Sequence, residues 1–291
     1  MQDLPHPTPV PPATSKPAVA RKWLVAILVL AFAFVLMPFL LWYMTTFSRP
    51  LTDAGLASYF SDKEHPRRAQ HALSQVADRI VSPNPATRDS AKVWYPEVLR
   101  LSVQGSDEVR VTAAWVMGQD NHSPEFHAAL LTQLFDPNPM VTRNAALSLV
   151  RFGDAVGHDK IASMLDLYTM GAPRTGTLML RLKPGDAITP GTMVAQILAN
   201  GEKTEVRSPV PGTIERWIAA EGSGVEAGQP MLLVSPSSDM VWESLRALYL
   251  IGRTDDLPKV ENYARGAEGM PPQVQQQAEL TVQAISSHSS K

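Results

Sequence analysis

Seven histidines are the side chains of this sequence most able to bind a metal or to act as a general acid or base. They are His6, His65, His71, His122, His127, His158 and His288. No two of them lie four residues apart, the spacing that places two imidazoles on one helix face. His122 and His127 lie five residues apart, about 140° around a helix, which does not suit a shared metal. Asp154 lies four residues before His158 without a third ligand near them, so we expect no catalytic residue and no metal site.

Other sources of chemistry are equally sparse. Cysteine is absent, which excludes disulfide scaffolds, thiolate zinc sites, iron–sulfur clusters and a cysteine nucleophile. No nucleophile elbow, phosphate-binding loop or dinucleotide-binding glycine motif occurs between a strand pattern and a helix pattern. The 26 lysines and arginines nearly balance the 28 aspartates and glutamates, so no basic field indicates nucleic-acid binding. We therefore expect a chain that is not an enzyme, carries no cofactor and binds no nucleic acid.

An uncharged run of 22 residues lies near the start, WLVAILVLAFAFVLMPFLLWYM, from Trp23 to Met44. At about 1.5 Å per residue, a helix of this length spans the roughly 30 Å hydrocarbon layer of a membrane. A cleaved signal peptide would have a shorter apolar run and a small-residue cleavage site. The sequence therefore predicts a transmembrane helix over 22–46, after a disordered proline-rich tail over 1–21.

The charges on either side of this run set its expected orientation. Lys16, Arg21 and Lys22 precede it, whereas Arg49 and Lys63 follow it. Because cytoplasmic flanks carry the excess of lysine and arginine, the N-terminus is expected in the cytoplasm. The sequence thus predicts a single-pass inner-membrane protein with a periplasmic body and with protein partners in a membrane complex.

Segments with helical spacing of apolar residues recur along the chain. The clearest copies are DEVRVTAAWVMG (Asp107 to Gly118), PMVTRNAALSLVRFG (Pro139 to Gly153) and MVWESLRALYLIG (Met240 to Gly252). Val109 and Val141 occupy matching positions 32 residues apart, but the next match, Val241, lies 100 residues further on. Foreign sequence therefore interrupts an array of helical hairpins.

The D-x-x-V-R-x-x-A-A pattern in the first copy resembles HEAT repeats, and it is clearest at Asp107, Arg110 and Ala113. The resemblance covers residues 51–165 and 239–286. It implies an α-solenoid, a fold that presents a curved surface to partners. Arg110 is a possible partner-binding residue in this interpretation.

The interrupting stretch is itself a duplication. Residues 172–197 align with residues 208–234, and Gly176 matches Gly212. Short alternating apolar runs indicate strands, and the glycines fall at turn positions. The stretch resembles the biotinyl/lipoyl family, the barrel-sandwich hybrid, over residues 172–235.

In carriers of that family a modified lysine lies at the tip of the hairpin joining the halves. The resemblance places Asn200, Gly201 and Glu202 at this tip, and none of them is lysine. Asn-Gly is also a strong two-residue turn signal. We therefore expect the hairpin without its attachment chemistry, and modification at Lys203 remains the alternative.

Three tryptophans complete the set of candidate residues. Trp115, Trp217 and Trp242 are interpreted as packing residues, and Trp217, which alternates with Ile214 on a short strand, is also a possible partner-binding residue. The predicted fold class is α+β multidomain, with one transmembrane helix, an α-solenoid, an inserted all-β barrel-sandwich hybrid and a disordered tail over 287–291.

These features together predict a membrane-anchored, non-enzymatic scaffold or adaptor that binds protein partners in an envelope complex. Two alternatives remain open. One is a biotin or lipoate carrier subunit modified at Lys203, and the other is an atypical periplasmic adaptor of an export system.

Overall fold

The computed structural model describes residues 27–38 and 50–288. Contacts divide the chain into two units, Met1–Thr52 and Asp53–Lys291. The first unit contains helix α1, residues 27–38. The predicted tail over 1–21 lies outside the described residues, as do residues 289–291.

The predicted transmembrane helix over 22–46 is wrong. Across residues 27–38 and 50–288, no helix combines the length and the apolar character that a membrane span requires. The remaining residues of the predicted span lie outside the described ones. The same finding contradicts the transmembrane element of the fold class, the inner-membrane location and the membrane as a partner.

The second unit contains helices α2 to α9 before the strands and α10 to α12 after them. Their bounds are α2 Asp53–Ser61, α3 Pro66–Ile80, α4 Pro85–Lys92, α5 Tyr95–Gln104, α6 Asp107–Met117, α7 Pro124–Gln133, α8 Pro139–Arg151, α9 His158–Ala162, α10 Ser238–Ile251, α11 Leu257–Ala264 and α12 Pro272–His288. The side chains of Asn84, Ser123 and Asn138 accept backbone N–H bonds at the starts of α4, α7 and α8. These caps and the prolines that follow them explain why each helix begins where it does.

Helices α3, α6, α8, α10 and α12 pack in this order, each against the next, and we call them the inner layer. Small buried side chains such as Ala113, Ala114 and Ala145 allow the helix axes to come close. Gly118, directly after α6, lies so near α8 that an added Cβ would stand 2.4 Å from Ser148 Oγ. The inner layer therefore depends on small residues at the contacts between its helices.

Hydrogen bonds from side chains to backbone carbonyls fix these helices lengthwise. Asn144 Nδ2 and Ser148 Oγ on α8 donate to carbonyls of α6 at 3.0 and 2.9 Å. Thr281 Oγ1 on α12 donates to a carbonyl of α10 at 2.9 Å. Because a carbonyl oxygen has two lone pairs, each one keeps its own helical bond as well.

Eight strands lie between α9 and α10 and form two four-stranded antiparallel sheets. The strands are β1 Tyr168–Gly171, β2 Gly176–Leu180, β3 Ala187–Ile188, β4 Met193–Ala199, β5 Glu202–Arg207, β6 Gly212–Trp217, β7 Gly224–Val225 and β8 Pro230–Pro236. The sheet orders are β1-β8-β6-β3 and β5-β4-β2-β7. Strand β2 of the first half pairs with β7 of the second, and β3 pairs with β6. Neither half can therefore complete a sheet alone.

The inward-facing side chains of both sheets meet in one apolar core, which includes Leu178, Val194, Ile197, Ile214 and Leu232. Alternation along the strands places these residues on the buried face. The fold is therefore α+β, with a helical layer and two small antiparallel sheets, and without the predicted membrane span.

Candidate functional site

A groove crosses the exposed side of the inner layer, and we call it the inner groove. It joins a cavity of about 320 Å³ on α6, α8 and α10 to one of about 270 Å³ on α10 and α12. The lining includes Trp115, Leu147, Arg151, Glu243, Arg246, Tyr249, Leu250 and Leu280. Arg246 and Leu250 line both cavities, so the two cavities adjoin along α10.

The floor of the inner groove is apolar and open. Trp115 is 43% exposed, Leu250 is 62% exposed and Leu280 is 51% exposed. Single exposed apolar residues are common, so the exposure of Trp115 and Leu250 is notable because both side chains line the same cavity. Trp115 was interpreted from the sequence as a packing residue, and the structure instead places much of its ring in this opening.

Helical spacing explains why these side chains share one face. Leu147 and Arg151 lie one turn apart on α8, and Glu243, Arg246 and Leu250 follow the same face of α10. The bonds between α6 and α8 described above hold Trp115 beside this pair. The groove is thus built from α6, α8, α10 and α12, and side-chain hydrogen bonds fix the register of α6 against α8 and of α10 against α12.

Charges at the groove are few and mostly engaged within the chain. The Arg246 guanidinium lies over the Trp242 ring, 4.6 Å from its centroid. Burial raises the pKa of the Glu243 carboxyl, and Asp239 adds to this effect, while Arg246 opposes it. Arg151 is exposed and has no carboxylate within 4.0 Å among the described residues. The groove therefore offers a free cation beside an apolar floor.

Arg110, a predicted partner-binding residue, is committed to contacts within the chain. Its Nε and Nη2 donate to the Asp136 carboxylate at 2.8 and 3.0 Å, and its Nη1 donates to the Gly105 carbonyl at 3.0 Å. Asp107 lies 3.0 Å from Nη2 as well. Arg110 therefore cross-links the start of α6 to the turn before α8, and it positions the inner layer.

The hairpin tip lies on the sheet β5-β4-β2-β7. Asn200 and Gly201 join β4 to β5 with φ of 53° and 80°, the left-handed values that a two-residue hairpin turn requires. Glu202 pairs with Ala199 at the start of β5, and Lys203 pairs with Leu198 one position later. Lys203 is exposed and makes no ion pair or hydrogen bond with another described residue.

Trp217, the other predicted partner-binding residue, lies at the end of β6. Its indole Nε1 donates to the Leu182 carbonyl at 3.1 Å, and its ring packs against the core of the two sheets. Ile218, the next residue, is 45% exposed. The Trp217 ring is thus held by the chain itself.

His127 and His158 pair with different carboxylates. His158 Nε2 lies 2.7 Å from Asp256 Oδ2, and both side chains are 7% exposed. Asp154, near His158 in sequence, instead lies 2.9 Å from His127 Nε2. Asp256 lies 98 residues from His158, and no spacing in the sequence pointed to it. Across residues 27–38 and 50–288, no group of three or more metal-binding side chains is present.

A cavity of about 800 Å³ lies among α4, α5 and the start of α7. Tyr95 Oη donates to Asp120 Oδ2 at 2.7 Å within it, and burial raises the pKa of the Tyr95 phenol. Arg88, Asp89 and Lys92 on α4 and Glu125 on α7 line it, and Lys92 Nζ lies 3.0 Å from Asp89 Oδ1. The cavity is wide and mixed in charge, and its phenol is a hydrogen-bond donor rather than a base.

No family model matches the chain, and no curated protein matches it. Nine chains of solved structures do match. One belongs to a work on the structure and function of a single-chain, multi-domain long-chain acyl-CoA carboxylase, with 18% identity over 48% of this chain. This chain spans 14% of that one, and the TM-score of 0.23 is too low to support an argument about fold or activity.

These results contradict the family resemblance drawn from the sequence. No family model of HEAT repeats or of a biotinyl/lipoyl domain matches the chain. Short motifs such as the one around Arg110 arise wherever paired helices need an arginine at a turn and alanines at a contact, so they do not define a family.

Proposed function

We propose that this protein is a non-enzymatic scaffold that binds a helical segment of a partner protein in the inner groove. The observation that carries the proposal is the joint apolar floor of Trp115, Leu147 and Leu250, which come from three different helices and open onto one cavity. A groove lined by parallel helices accepts an amphipathic helix, whose side chains one turn apart fill successive depressions.

The chemistry of the groove specifies the partner further. Arg151 is exposed beside the floor and has no carboxylate of a described residue within 4.0 Å, whereas Arg246 counters the charge of Glu243. A bound helix therefore gains from a carboxylate placed opposite Arg151 and loses from a lysine there. Tryptophan, tyrosine and arginine are also the residues that most often dominate binding energy at protein interfaces, and the groove exposes all three.

The tip of the β4–β5 hairpin supports a binding role more than a carrier role. Asn200 and Gly201 form the apex and have no amine to which a cofactor could be attached. Lys203 lies beyond the apex on β5, although its exposure keeps attachment there as the alternative function. A carrier would be recognised by an added acyl mass on the Lys203 amine.

Site-specific photo-crosslinking in the native cells tests the proposal. Benzoylphenylalanine replaces Leu147 or Leu250 in the full chain, and the control replaces Val103, which is 72% exposed on α5. We expect adducts at 147 and 250 whose captured peptides have apolar residues at helical spacing and an acidic residue on the flank. Equal capture at 103, or captured peptides without this pattern, would overturn the proposal.

A further inference from the structure

Arg143 on α8 is a buried cation without a countercharge. Its residue is 6% exposed, and no carboxylate of the described residues lies within 4.0 Å of its guanidinium. Its Nη1 lies 3.1 Å from Met240 Sδ and 3.7 Å from Met140 Sδ, and its central carbon lies 5.9 Å from the centroid of the Tyr168 ring. A thioether sulfur and a ring face offset little of the free-energy cost of burying a charge, so the burial of the Arg143 guanidinium remains unfavourable.

Arg143 stays protonated at neutral pH, so the cost of burying its charge persists there. Burial lowers the pKa of its guanidinium to about 10, and Tyr168 acts in the opposite direction. The group therefore remains positively charged in the folded chain. A bound anion would relieve the cost of burial and return the pKa of Arg143 towards its ordinary value.

Two of the guanidinium nitrogens are free to bind. Nε and Nη2 of Arg143 donate to no other described residue. Among the described residues, Gln133 Oε1 is the one side-chain polar atom that is both inaccessible to solvent and without a hydrogen-bond partner. Because Nε and Nη2 of Arg143 also lack a partner, both must be accessible to solvent. These two donors form one edge of the planar fork that matches a carboxylate or a phosphate.

The opening beside Arg143 is a cavity of about 320 Å³ between α8, α9 and β1, and we call it the junction cavity. Its polar lining comprises Arg143, Lys160, Ser163, Asp166, Tyr168 and Thr169. The volume lies at the lower end of the range for small-molecule sites.

The charge balance of the junction cavity is positive. Lys160 is exposed and has no ion pair with a described residue. Asp166 is the acidic residue of the lining, and Lys259 lies 2.5 Å from its carboxylate. Arg143 and Lys160 are thus the two cations of the lining without a carboxylate partner, and the Thr169 hydroxyl adds a neutral hydrogen-bonding group, whereas the Ser163 hydroxyl already donates to the Lys160 carbonyl at 2.7 Å.

We propose that the junction cavity binds a small molecule through its oxyanion, a phosphate or a carboxylate group. Arg143 holds the oxyanion by its Nε and Nη2 edge, and Lys160 adds a second positive charge at the mouth. The ligand would tie α8 of the inner layer to β1, the first strand, because the two cations and Thr169 come from both sides of this junction. The site is separate from the inner groove, which opens along another face of α8.

Isothermal titration of the purified full chain with inorganic phosphate and with glutarate tests the proposal, at constant ionic strength in chloride. We expect one saturable site for at least one of the two anions. The anion that binds more tightly shows whether the ligand carries a phosphate or a carboxylate. Saturable binding of neither anion would overturn the proposal.

Three variants assign the site. Arg143→Met and Lys160→Met should each weaken binding at least about tenfold, the loss expected when a charged hydrogen-bond partner is removed. Lys183→Met, at an exposed lysine outside the junction cavity, should leave the Kd unchanged. Arg143→Met removes an unpaired buried charge, so its melting temperature without anion should equal or exceed that of the wild type. An unchanged Kd in both Arg143→Met and Lys160→Met would also overturn the proposal.

Discussion

Arg110 and Asp136 form a two-point ion pair between the start of α6 and the turn before α8. Nε to Oδ2 measures 2.8 Å and Nη2 to Oδ1 measures 3.0 Å, and the side chains are 14% and 10% exposed. Asp136 also accepts the N–H of Asn138 at 2.8 Å, and the Asn138 side chain caps α8. One arginine thus fixes the turn, the cap and the start of the helix that carries Leu147 and Arg151.

Replacing Arg110 should destabilise the chain more than replacing a comparable surface arginine. In Arg110→Met the Asp136 carboxylate stays largely buried without its partner, which costs about 3 kcal/mol of unfolding free energy. Arg100→Met removes a more exposed pair with Glu97 and should cost about 1 kcal/mol or less. Urea denaturation of both variants measures the difference, and equal losses would contradict the role assigned to Arg110.

The same ion pair predicts how stability changes with acid. Burial raises the pKa of the Asp136 carboxyl, but the bonds from Arg110 and the Asn138 N–H outweigh it and hold this pKa below its usual value of 3.8. A carboxyl with a lowered pKa adds stability above its unfolded value, and that stability is lost as the pH falls through its folded value. The free energy of unfolding should therefore fall less steeply below about pH 4 in Asp136→Asn than in the wild type. Parallel slopes in denaturation at pH 5, 4 and 3 would count against this account.

The close contact between α6 and α8 predicts that a change at Gly118 destabilises the chain and that a second change at Ser148 restores stability. In Gly118→Ala the new Cβ meets Ser148 Oγ at 2.4 Å and Ser148 Cβ at 2.7 Å. Such overpacking should cost about 1–3 kcal/mol of unfolding free energy. Adding Ser148→Gly removes the clash, so a double-mutant cycle should show favourable coupling between the two changes. Additive losses would mean that the two helices have room to separate.

Lys203 should carry no cofactor. Its position on β5, after the apex formed by Asn200 and Gly201, does not present its amine at the tip of the hairpin. Mass spectrometry of the peptide containing Lys203, from chain purified out of its native cells, should therefore show an unmodified side chain. An added biotin or lipoate mass would establish the carrier alternative.

Local patterns in the sequence predicted some elements of this structure. The copies beginning at Asp107 and Pro139 became α6 and α8, because their apolar spacing and their starting residues specify a helix and its first turn. Asn200-Gly201 lies at the β4–β5 turn, since few other residue pairs tolerate two positive φ angles in succession.

Contacts between residues far apart in the sequence could not be predicted from local patterns. The pairing of His158 with Asp256 and the burial of Arg143 beside Met240 join residues almost a hundred positions apart. The inner groove has the same origin, because Trp115 and Leu250 come together only when α6, α8 and α10 pack in order.

The affinity of the captured partner segment tests the central claim most directly. The peptide identified by crosslinking at position 250 is synthesised, and its Kd is measured for the wild type, Leu250→Asp and Val103→Asp. We predict that Leu250→Asp weakens binding about 30-fold or more, as expected for loss of an interface anchor worth about 2 kcal/mol, while Val103→Asp leaves the Kd unchanged. Equal affinity for the wild type and Leu250→Asp would contradict the assignment of the inner groove as the binding site.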